Sequence, residues 1–161
     1  MTLAVPGLAI VPVESPEQLT QVRELFLEYA KSLNFSLCFQ SFEKELADLP
    51  GDYAPPEGRL LLAYLEGEAA GCVALHKLEA GVCEMKRLYL RPRFRGKKVG
   101  FSLATTLIGE ARQIRYRAMR LDTVTGTMDE AIGIYRRLGF SEIAAYRPNP
   151  IPGALYMELS L

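Results

Sequence analysis

The stretch CEMKRLYL (residues 83–90) continues through RPRF (91–94) into RGKKVG (95–100) and FSLATTLI (101–108). The first segment is rich in strand-forming residues, the RGKKVG segment is a cationic turn containing glycine, and the last begins an amphipathic helix. A turn of this kind presents unpaired backbone N–H groups, and the positive end of the helix dipole, to an anion. This order of strand, basic turn and helix predicts a phosphate-binding site in the middle of the chain.

The composition is that of an ordinary globular protein. We predict a single domain over residues 1–161, because this length suits one hydrophobic core. Hydrophobic residues make up 49% of the chain and charged residues 24%, and no apolar run approaches the ~20 residues of a membrane span. Three widely spaced cysteines (Cys38, Cys72 and Cys83) and one histidine form neither a disulfide framework nor a metal-ligand pattern. We therefore expect a cytoplasmic protein with no metal.

Hydrophobic periodicity and turn residues predict helices and strands in a mixed order. Ser15, Pro16 and Gln18 match an N-cap, a first helical position and a capping box. The proline-rich segment 50–58 fits neither the helical nor the strand periodicity and is expected to be a loop. Helices are predicted to begin at Ser15, Ser41, Val99 and Met128, and strands at Leu8–Val13, Leu60–Leu65, Ala70–Leu78, Val82–Leu90, Ala118–Val124, Phe140–Tyr146 and Ala154–Leu161. The predicted fold class is α/β, with a mixed sheet of about seven strands in the order β-α-α-β-β-β-α-β-α-β-β.

This order of elements, with YRRLGF (residues 135–140) after the last helix, resembles the GNAT superfamily of acyl-CoA-dependent N-acetyltransferases. The resemblance covers nearly the whole chain and is most specific in residues 84–107 and 128–140. The family signature at the turn reads Gln or Arg, two residues, Gly, one residue, then Gly or Ala, and it wraps the pyrophosphate of coenzyme A. Arg95 and Gly100 match its ends, but Lys98 stands where the middle glycine is expected. The resemblance implies that acetyl-CoA is the co-substrate.

The same resemblance implies a cofactor site built from three segments. Backbone groups at the end of the fourth strand would hold the pantetheine arm, and the turn with the start of its helix would hold the pyrophosphate. Met128 stands where the family often has an asparagine, so that polar contact is absent or replaced. The implied cofactor-binding residues are Leu88, Tyr89, Leu90, Arg95, Gly96, Lys97, Lys98, Val99, Gly100, Phe101, Met128 and Ala131.

Two further residues match catalytic positions of the family. Glu84 corresponds to a glutamate that acts as general base, because an ammonium has no lone pair with which to attack. Tyr135 corresponds to a tyrosine near the thioester sulfur, where its phenol would protonate or hydrogen-bond the departing thiolate. The structural alternatives are an ion-paired or solvated Glu84 and a Tyr135 that only packs. His76 has no patterned partner and is interpreted as a packed or surface residue.

Charge is distributed unevenly along the chain, although the net charge is zero. Residues 1–84 hold 5 Lys/Arg against 13 Asp/Glu, whereas residues 85–161 hold 14 against 6. Since the first helices line the acceptor side in the family, this split predicts a cleft edged with carboxylates. It favours a cationic acceptor amine over an amino sugar phosphate or an acidic amino acid. The alternative is that the acidic residues lie on outward helix faces.

The function implied is acetyl-CoA-dependent transfer of an acetyl group to a primary amine, by direct attack in a ternary complex. The expected partner is a small-molecule or peptide amine, with no nucleic acid and no membrane, and a homodimer stays open. Two other classes also remain open. A domain that senses acyl-CoA without turnover is compatible with the departures at Lys98 and Met128. A polyanion binder would use the seven basic residues between Lys86 and Lys98, but only Tyr89 and Phe94 are there for base stacking.

Overall fold

The computed structural model describes residues 5–37 and 41–161, and in these residues the helices and strands follow the predicted order. The helices are α1 (Pro16–Ser32), α2 (Phe42–Asp48), α3 (Val99–Ile114) and α4 (Asp129–Arg137). The strands are β1 (Leu8–Pro12), β2 (Arg59–Leu65), β3 (Glu68–Glu79), β4 (Val82–Leu90), β5 (Ala118–Val124), β6 (Ser141–Ile143) and β7 (Ala154–Ser160). Short 3₁₀ turns at Gly51–Tyr53 and Pro92–Phe94 lie in the loops before β2 and α3.

The strands form one mixed sheet in the spatial order β1-β2-β3-β4-β5-β7-β6. Every neighbouring pair is antiparallel except β4 and β5, which are parallel. Parallel neighbours need a crossover connection, and α3 supplies it here. The predicted α/β fold class is confirmed.

Each face of the sheet has its own apolar core under a pair of helices. On one face, α3 and α4 pack over a cluster that includes the fully buried Leu103 and Leu107. On the other face, α1 and α2 cover a cluster that includes Leu25 and Phe26. The capping box of α1 is confirmed, because the Ser15 side chain accepts a hydrogen bond from the backbone N–H of Gln18, and the Gln18 side chain accepts one from Ser15, both at 3.1 Å.

The strands β4 and β5 separate soon after they pair. Only Val82–Glu84 of β4 pairs with Ala118–Arg120 of β5, although both strands continue beyond these residues. In β4 the register against β3 shifts at a bulge, where Arg87 has a φ of +62°. A bulge bends the strand that contains it. Among the described residues, the end of β4 therefore has no strand partner on the β5 side, and a cleft opens between the two strands.

The prediction of a strand over Phe140–Tyr146 is wrong in its second half, since β6 spans only Ser141–Ile143. The chain then leaves the sheet, and its side chains form hydrogen bonds with residues of other strands. Tyr146 donates a hydrogen bond to Glu84 at 2.7 Å, and the Asn149 amide donates one to Asp122 at 3.1 Å. The other predicted bounds agree with the structure to within two residues.

The described cysteines are buried and free. Burial raises the pKa of the Cys83 thiol to about 12 and also raises the pKa of Cys72. Because the thiolate is the reactive form, both side chains are unreactive near neutral pH. Cys38 lies outside the described residues. Within the described residues, no helix is long and apolar enough to cross a bilayer.

Candidate active site

A cleft of about 420 Å³, which we call the first cavity, lies where β4 and β5 separate. Its walls are the ends of both strands, the start of α3, the start of α4 with the loop before it, and the end of α1 with the segment after it. The predicted site residues that line it are Leu88, Tyr89, Leu90, Arg95, Gly100, Met128, Ala131 and Tyr135. The structure thus gathers three segments that are far apart in sequence around one cleft.

The remaining predicted cofactor residues lie beside the first cavity. Gly96, Lys97 and Lys98 are exposed in the turn. Val99 is fully buried in the core. The half-buried ring of Phe101 has the guanidinium carbon of Arg137 5.2 Å from its centroid, which adds a cation near the start of α3.

The start of α3 offers backbone donors to an anion. A hydrogen bond from the backbone N–H of Ser102 to the carbonyl of Lys98 closes the first turn at 3.1 Å. The three amides before it, at residues 99–101, have no acceptor within the helix. Arg95 fixes the turn against β4, because its Nε and Nη2 donate to the carbonyl of Leu90 at 3.2 and 3.0 Å. These features fit the predicted phosphate site.

Two side chains near α4 line the first cavity in different ways. Tyr135 is buried and packs against Phe140, with ring centroids 5.7 Å apart. Burial raises the pKa of its phenol, so the hydroxyl stays protonated at neutral pH and can donate. Met128 takes the predicted position before α4, and its sulfur accepts a hydrogen bond from the Thr123 hydroxyl at 3.2 Å. The polar side chain expected there is thus replaced by a thioether.

Glu84 does not line the first cavity, because its side chain is fully buried on β4. Its Oε1 lies 2.8 Å from Nε2 of His76, and its Oε2 accepts the hydrogen bond from Tyr146. The guanidinium of Arg147 forms an ion pair with Oε2, and Nζ of Lys86 lies 4.0 Å from Oε1. We call these five residues the Glu84 cluster.

The interpretation of His76 as a packed or surface residue holds in part. Its ring packs edge-on against Tyr53, with ring centroids 6.0 Å apart, but it also contacts Glu84 in the Glu84 cluster, which the sequence pattern did not predict. Burial and the charges of Lys86 and Arg147 lower its pKa to about 4, so its imidazole is neutral near pH 7. One signal could have found this contact. A hairpin turn at Ala80-Gly81 places residue 76 opposite residue 84, and the register of β3 and β4 contains that pair.

A second cavity of about 380 Å³ lies beside the Glu84 cluster. His76, Lys86 and Arg147 line its inner side, while α2 and the loop after it line its outer side. Lys86 lines both cavities, so the two cavities adjoin along this residue of β4. Two adjoining cavities are the arrangement that a reaction between two bound substrates needs.

The acidic residues of the first half fall into two groups. Asp48 and Asp52 are exposed and line the second cavity, whereas Glu28 and Glu45 are held by arginines. Glu28 accepts hydrogen bonds from Arg91 at 2.8–3.1 Å, and Glu45 accepts two from Arg87 at 2.8 and 2.9 Å. A carboxylate already held by an arginine attracts a second cation only weakly. The cationic acceptor therefore stays a prediction, with Asp48 and Asp52 rather than Glu28 and Glu45 as the carboxylates that support it.

Comparison with known proteins decides the family. The model of the acetyltransferase (GNAT) family matches residues 19–140. The chain belongs to the GNAT family. An uncharacterised N-acetyltransferase of Schizosaccharomyces pombe is 39% identical to this GNAT protein over 157 residues, which are 96% of both chains. N-acetylaspartate synthetase of Danio rerio is 28% identical over 78% of this chain and 45% of its own length. The PaiA N-acetyltransferase of Thermoplasma acidophilum, solved with coenzyme A, shares the fold with a TM-score of 0.73 at 19% identity, over 96% of this chain and 99% of that one.

This GNAT protein is an acyltransferase with an acetyl-CoA-binding fold. Its departure from the family signature has a visible consequence, because Lys98 has a φ of +64°. In that left-handed region a β-carbon is strained, whereas glycine is not. The chain keeps the backbone conformation of the expected glycine with a lysine in its place.

We expect Lys98→Gly to stabilise the protein by about 0.5 kcal/mol, because relief of strain outweighs the added chain entropy of glycine. In thermal denaturation this corresponds to about 1–2 °C in Tm. Lys97→Gly is the matched control, since Lys97 does not have a positive φ and should gain nothing. If the Tm of Lys98→Gly were equal to or lower than that of the control, the backbone at Lys98 would not be strained.

Proposed function

We propose that this GNAT protein transfers the acetyl group of acetyl-CoA to a primary amine by direct attack, with both substrates bound at once. The observation that carries this proposal is the meeting of the two cavities at Lys86. The first cavity suits an extended cofactor, and the second is large enough for a small amine. The names of the relatives support N-acetyl transfer, and one is named for an N-acetylated amino acid.

The cofactor would be held mainly by backbone groups. The end of β4 at Leu88–Leu90, which does not pair with β5, would bind the pantetheine arm in the way that a sheet edge binds a peptide. The amides at residues 99–101 and the dipole of α3 would bind the pyrophosphate. Arg95 already binds the Leu90 carbonyl, so its proposed role is to shape the turn.

The chemical step exchanges one bond for another at the acetyl carbon. The amine nitrogen bonds to this carbon, the carbon–sulfur bond breaks, and the sulfur leaves with the electron pair. Tyr135, protonated at neutral pH because its pKa is raised, would donate to that sulfur. Glu84 is too deeply buried to touch the amine, so we propose that the amine proton reaches it through His76, which lines the second cavity.

Amine-dependent release of the CoA thiol tests this function. With a panel of amines, the protein should release CoA only when both acetyl-CoA and an accepted amine are present. Tyr135→Phe should lower kcat at least about tenfold and leave the Kd for CoA within twofold, because only the donor to sulfur is lost. Tyr64→Phe removes a hydroxyl that bonds Gln21 of α1 instead, so it should leave kcat unchanged. Tight binding of acetyl-CoA with no release for any amine would instead indicate a domain that binds acyl-CoA without turnover.

A further inference from the structure

The two carboxylate oxygens of Glu84 have different neighbours. Oε1 lies 2.8 Å from Nε2 of His76, the residue through which the amine proton is proposed to arrive. Oε2 accepts the hydrogen bond from the Tyr146 hydroxyl at 2.7 Å and forms the ion pair with Arg147. The terminal torsion of a glutamate is broad, so the side chain itself does not fix where each oxygen points. The direction of Oε1 therefore depends on the groups that hold Oε2.

Tyr146 is the more rigid of the two groups at Oε2. Its ring packs edge-on against Tyr156, with centroids 5.2 Å apart, and the guanidinium carbon of Arg120 lies 5.5 Å from its centroid. Arg147 reaches the same oxygen with a long side chain that is 29% exposed. A tyrosine loses little conformational entropy when it is held, whereas an arginine has many rotamers. The phenol is thus the better device for fixing Oε2 in one direction.

The contacts that hold this phenol come from neighbouring strands. Arg120 on β5 is itself fixed, because it donates hydrogen bonds to Glu158 at 2.8 Å and to Glu79 at 3.0 Å. Tyr156 on β7 donates a hydrogen bond to the carbonyl of Arg147 at 2.6 Å. It therefore also holds the backbone of the segment that carries the donor. The position of the hydroxyl is set by the sheet as well as by its own loop.

The Tyr146 hydroxyl remains a donor near neutral pH. Burial, followed by the charge of Asp122, raises the pKa of its phenol above the ordinary value, so it stays protonated. A hydrogen bond to a carboxylate favours the charged form, which is the form that can accept a proton. The other charged or titratable groups around Glu84 and His76 are Lys86 on β4, Arg120 on β5, Arg147 after β6, and Asp52 and Tyr53 before β2. A change of Tyr146 to phenylalanine leaves all of these groups in place.

We propose that Tyr146 is a positioning residue for acetyl transfer, which holds the Glu84 carboxylate so that Oε1 faces His76. The inference rests on the proposed acetyl transfer and on its proton route through His76. Tyr146 lines neither cavity, so it would act through Glu84 and not on either substrate. Without its hydroxyl, Arg147 alone would hold Oε2, and the carboxylate would be free to turn away from His76.

Tyr146→Phe tests this role, because it keeps the ring and removes only the hydroxyl. In CoA-release assays we expect kcat to fall at least about fivefold, while KM for the amine and Kd for CoA stay within about twofold. Tyr116→Phe is the matched control, since it removes a hydroxyl that donates to the Glu57 carbonyl, also at 2.7 Å. It should leave kcat unchanged. A wild-type kcat in folded Tyr146→Phe protein would overturn the inference.

A double-mutant cycle separates positioning of Glu84 from a general effect on the fold. If Tyr146 acts through Glu84, Tyr146→Phe should lower kcat less than about twofold further in a Glu84→Gln background. An equal loss in both backgrounds would show that Tyr146 acts independently of Glu84, and would overturn its assignment as a positioning residue.

NMR titration of His76 gives a readout that does not need turnover. His76 is the one histidine of the chain, so its imidazole signals are assigned without ambiguity. Its pKa is lowered to about 4, chiefly by burial. Loss of the donor to Glu84 favours protonation of the Glu84–His76 pair, so the midpoint should rise at least about half a pH unit in Tyr146→Phe. Tyr116→Phe should not move it.

The titration also separates a failure of this inference from a failure of the proposed function. An unmoved midpoint in Tyr146→Phe would overturn the positioning role, even where kcat falls. A raised midpoint in a protein that releases CoA with no amine would support the hold on Glu84 and contradict acetyl transfer.

Discussion

Glu84→Gln is expected to lower kcat by about two orders of magnitude or more, because the proposed proton acceptor loses its basicity. The free energy of unfolding should also fall by about 2–4 kcal/mol, since a neutral amide removes the carboxylate that forms the ion pair with Arg147. The Kd for CoA should stay within about threefold, because Glu84 does not line the first cavity. Single-turnover rates, thermal denaturation and CoA titration measure the three effects.

The three measurements separate chemistry from folding. Assays are run well below the Tm of the variant, so that the fraction folded does not limit the rate. Glu142→Gln makes the same change at an exposed position on β6 and should alter none of the three quantities. Wild-type kcat in a folded Glu84→Gln variant would exclude Glu84 as the proton acceptor. Wild-type stability would show that the ion pair between Glu84 and Arg147 does not stabilise the fold.

Gly100→Val is expected to weaken CoA binding by at least about thirtyfold, because it places a branched side chain at the mouth of the phosphate site. A β-carbon at Gly100 would lie 3.2 Å from a methyl of Leu90 and 3.3 Å from a methyl of Ile134. Both side chains line the first cavity. If Leu90 and Ile134 move to make room for the valine, they move into the cleft from two sides and narrow it. Because phosphate contacts are electrostatic, the Kd should also rise with salt in both proteins.

The same helix supplies the control for this prediction. Gly109→Val makes the same change about 13 Å further along the axis of α3, and no atom lies within 4 Å of the added β-carbon. It should leave CoA affinity unchanged and keep the helix as stable, since valine is the better helix former. Unchanged affinity in Gly100→Val would show that the cofactor phosphates bind elsewhere.

The fold was predictable where signals are local. β4 and β5 were predicted to the residue, at Val82–Leu90 and Ala118–Val124, because apolar runs are bounded there by turn residues. Gly81 before β4, with a φ of +76°, and Pro92 after it mark the two ends. The cofactor side was predictable for the same reason, since each of its segments is contiguous and resembles a family segment.

The acceptor side was not predictable from local patterns. His76, Lys86 and Arg147 come from two strands and a loop, and they converge only through the β3–β4 register and the path of the chain after β6. That path depends on Tyr146 and Arg147 reaching Glu84, which is far away in sequence. The alternation of residue types predicted that β6 continues through Tyr146. Such a pattern carries no information about partners that are distant in sequence.

The bulge at Arg87 restricts how this protein can change in length. Before it, Cys83 and Met85 face the α3 side; after it, Leu88 and Leu90 do, while Tyr89 faces the α1 side. The extra residue thus reverses the odd–even phase of the strand. Deletion or insertion of a single residue between Met85 and Leu88 would turn one half of β4 inside out. Insertions and deletions should therefore be excluded from this part of β4, which keeps a fixed number of residues.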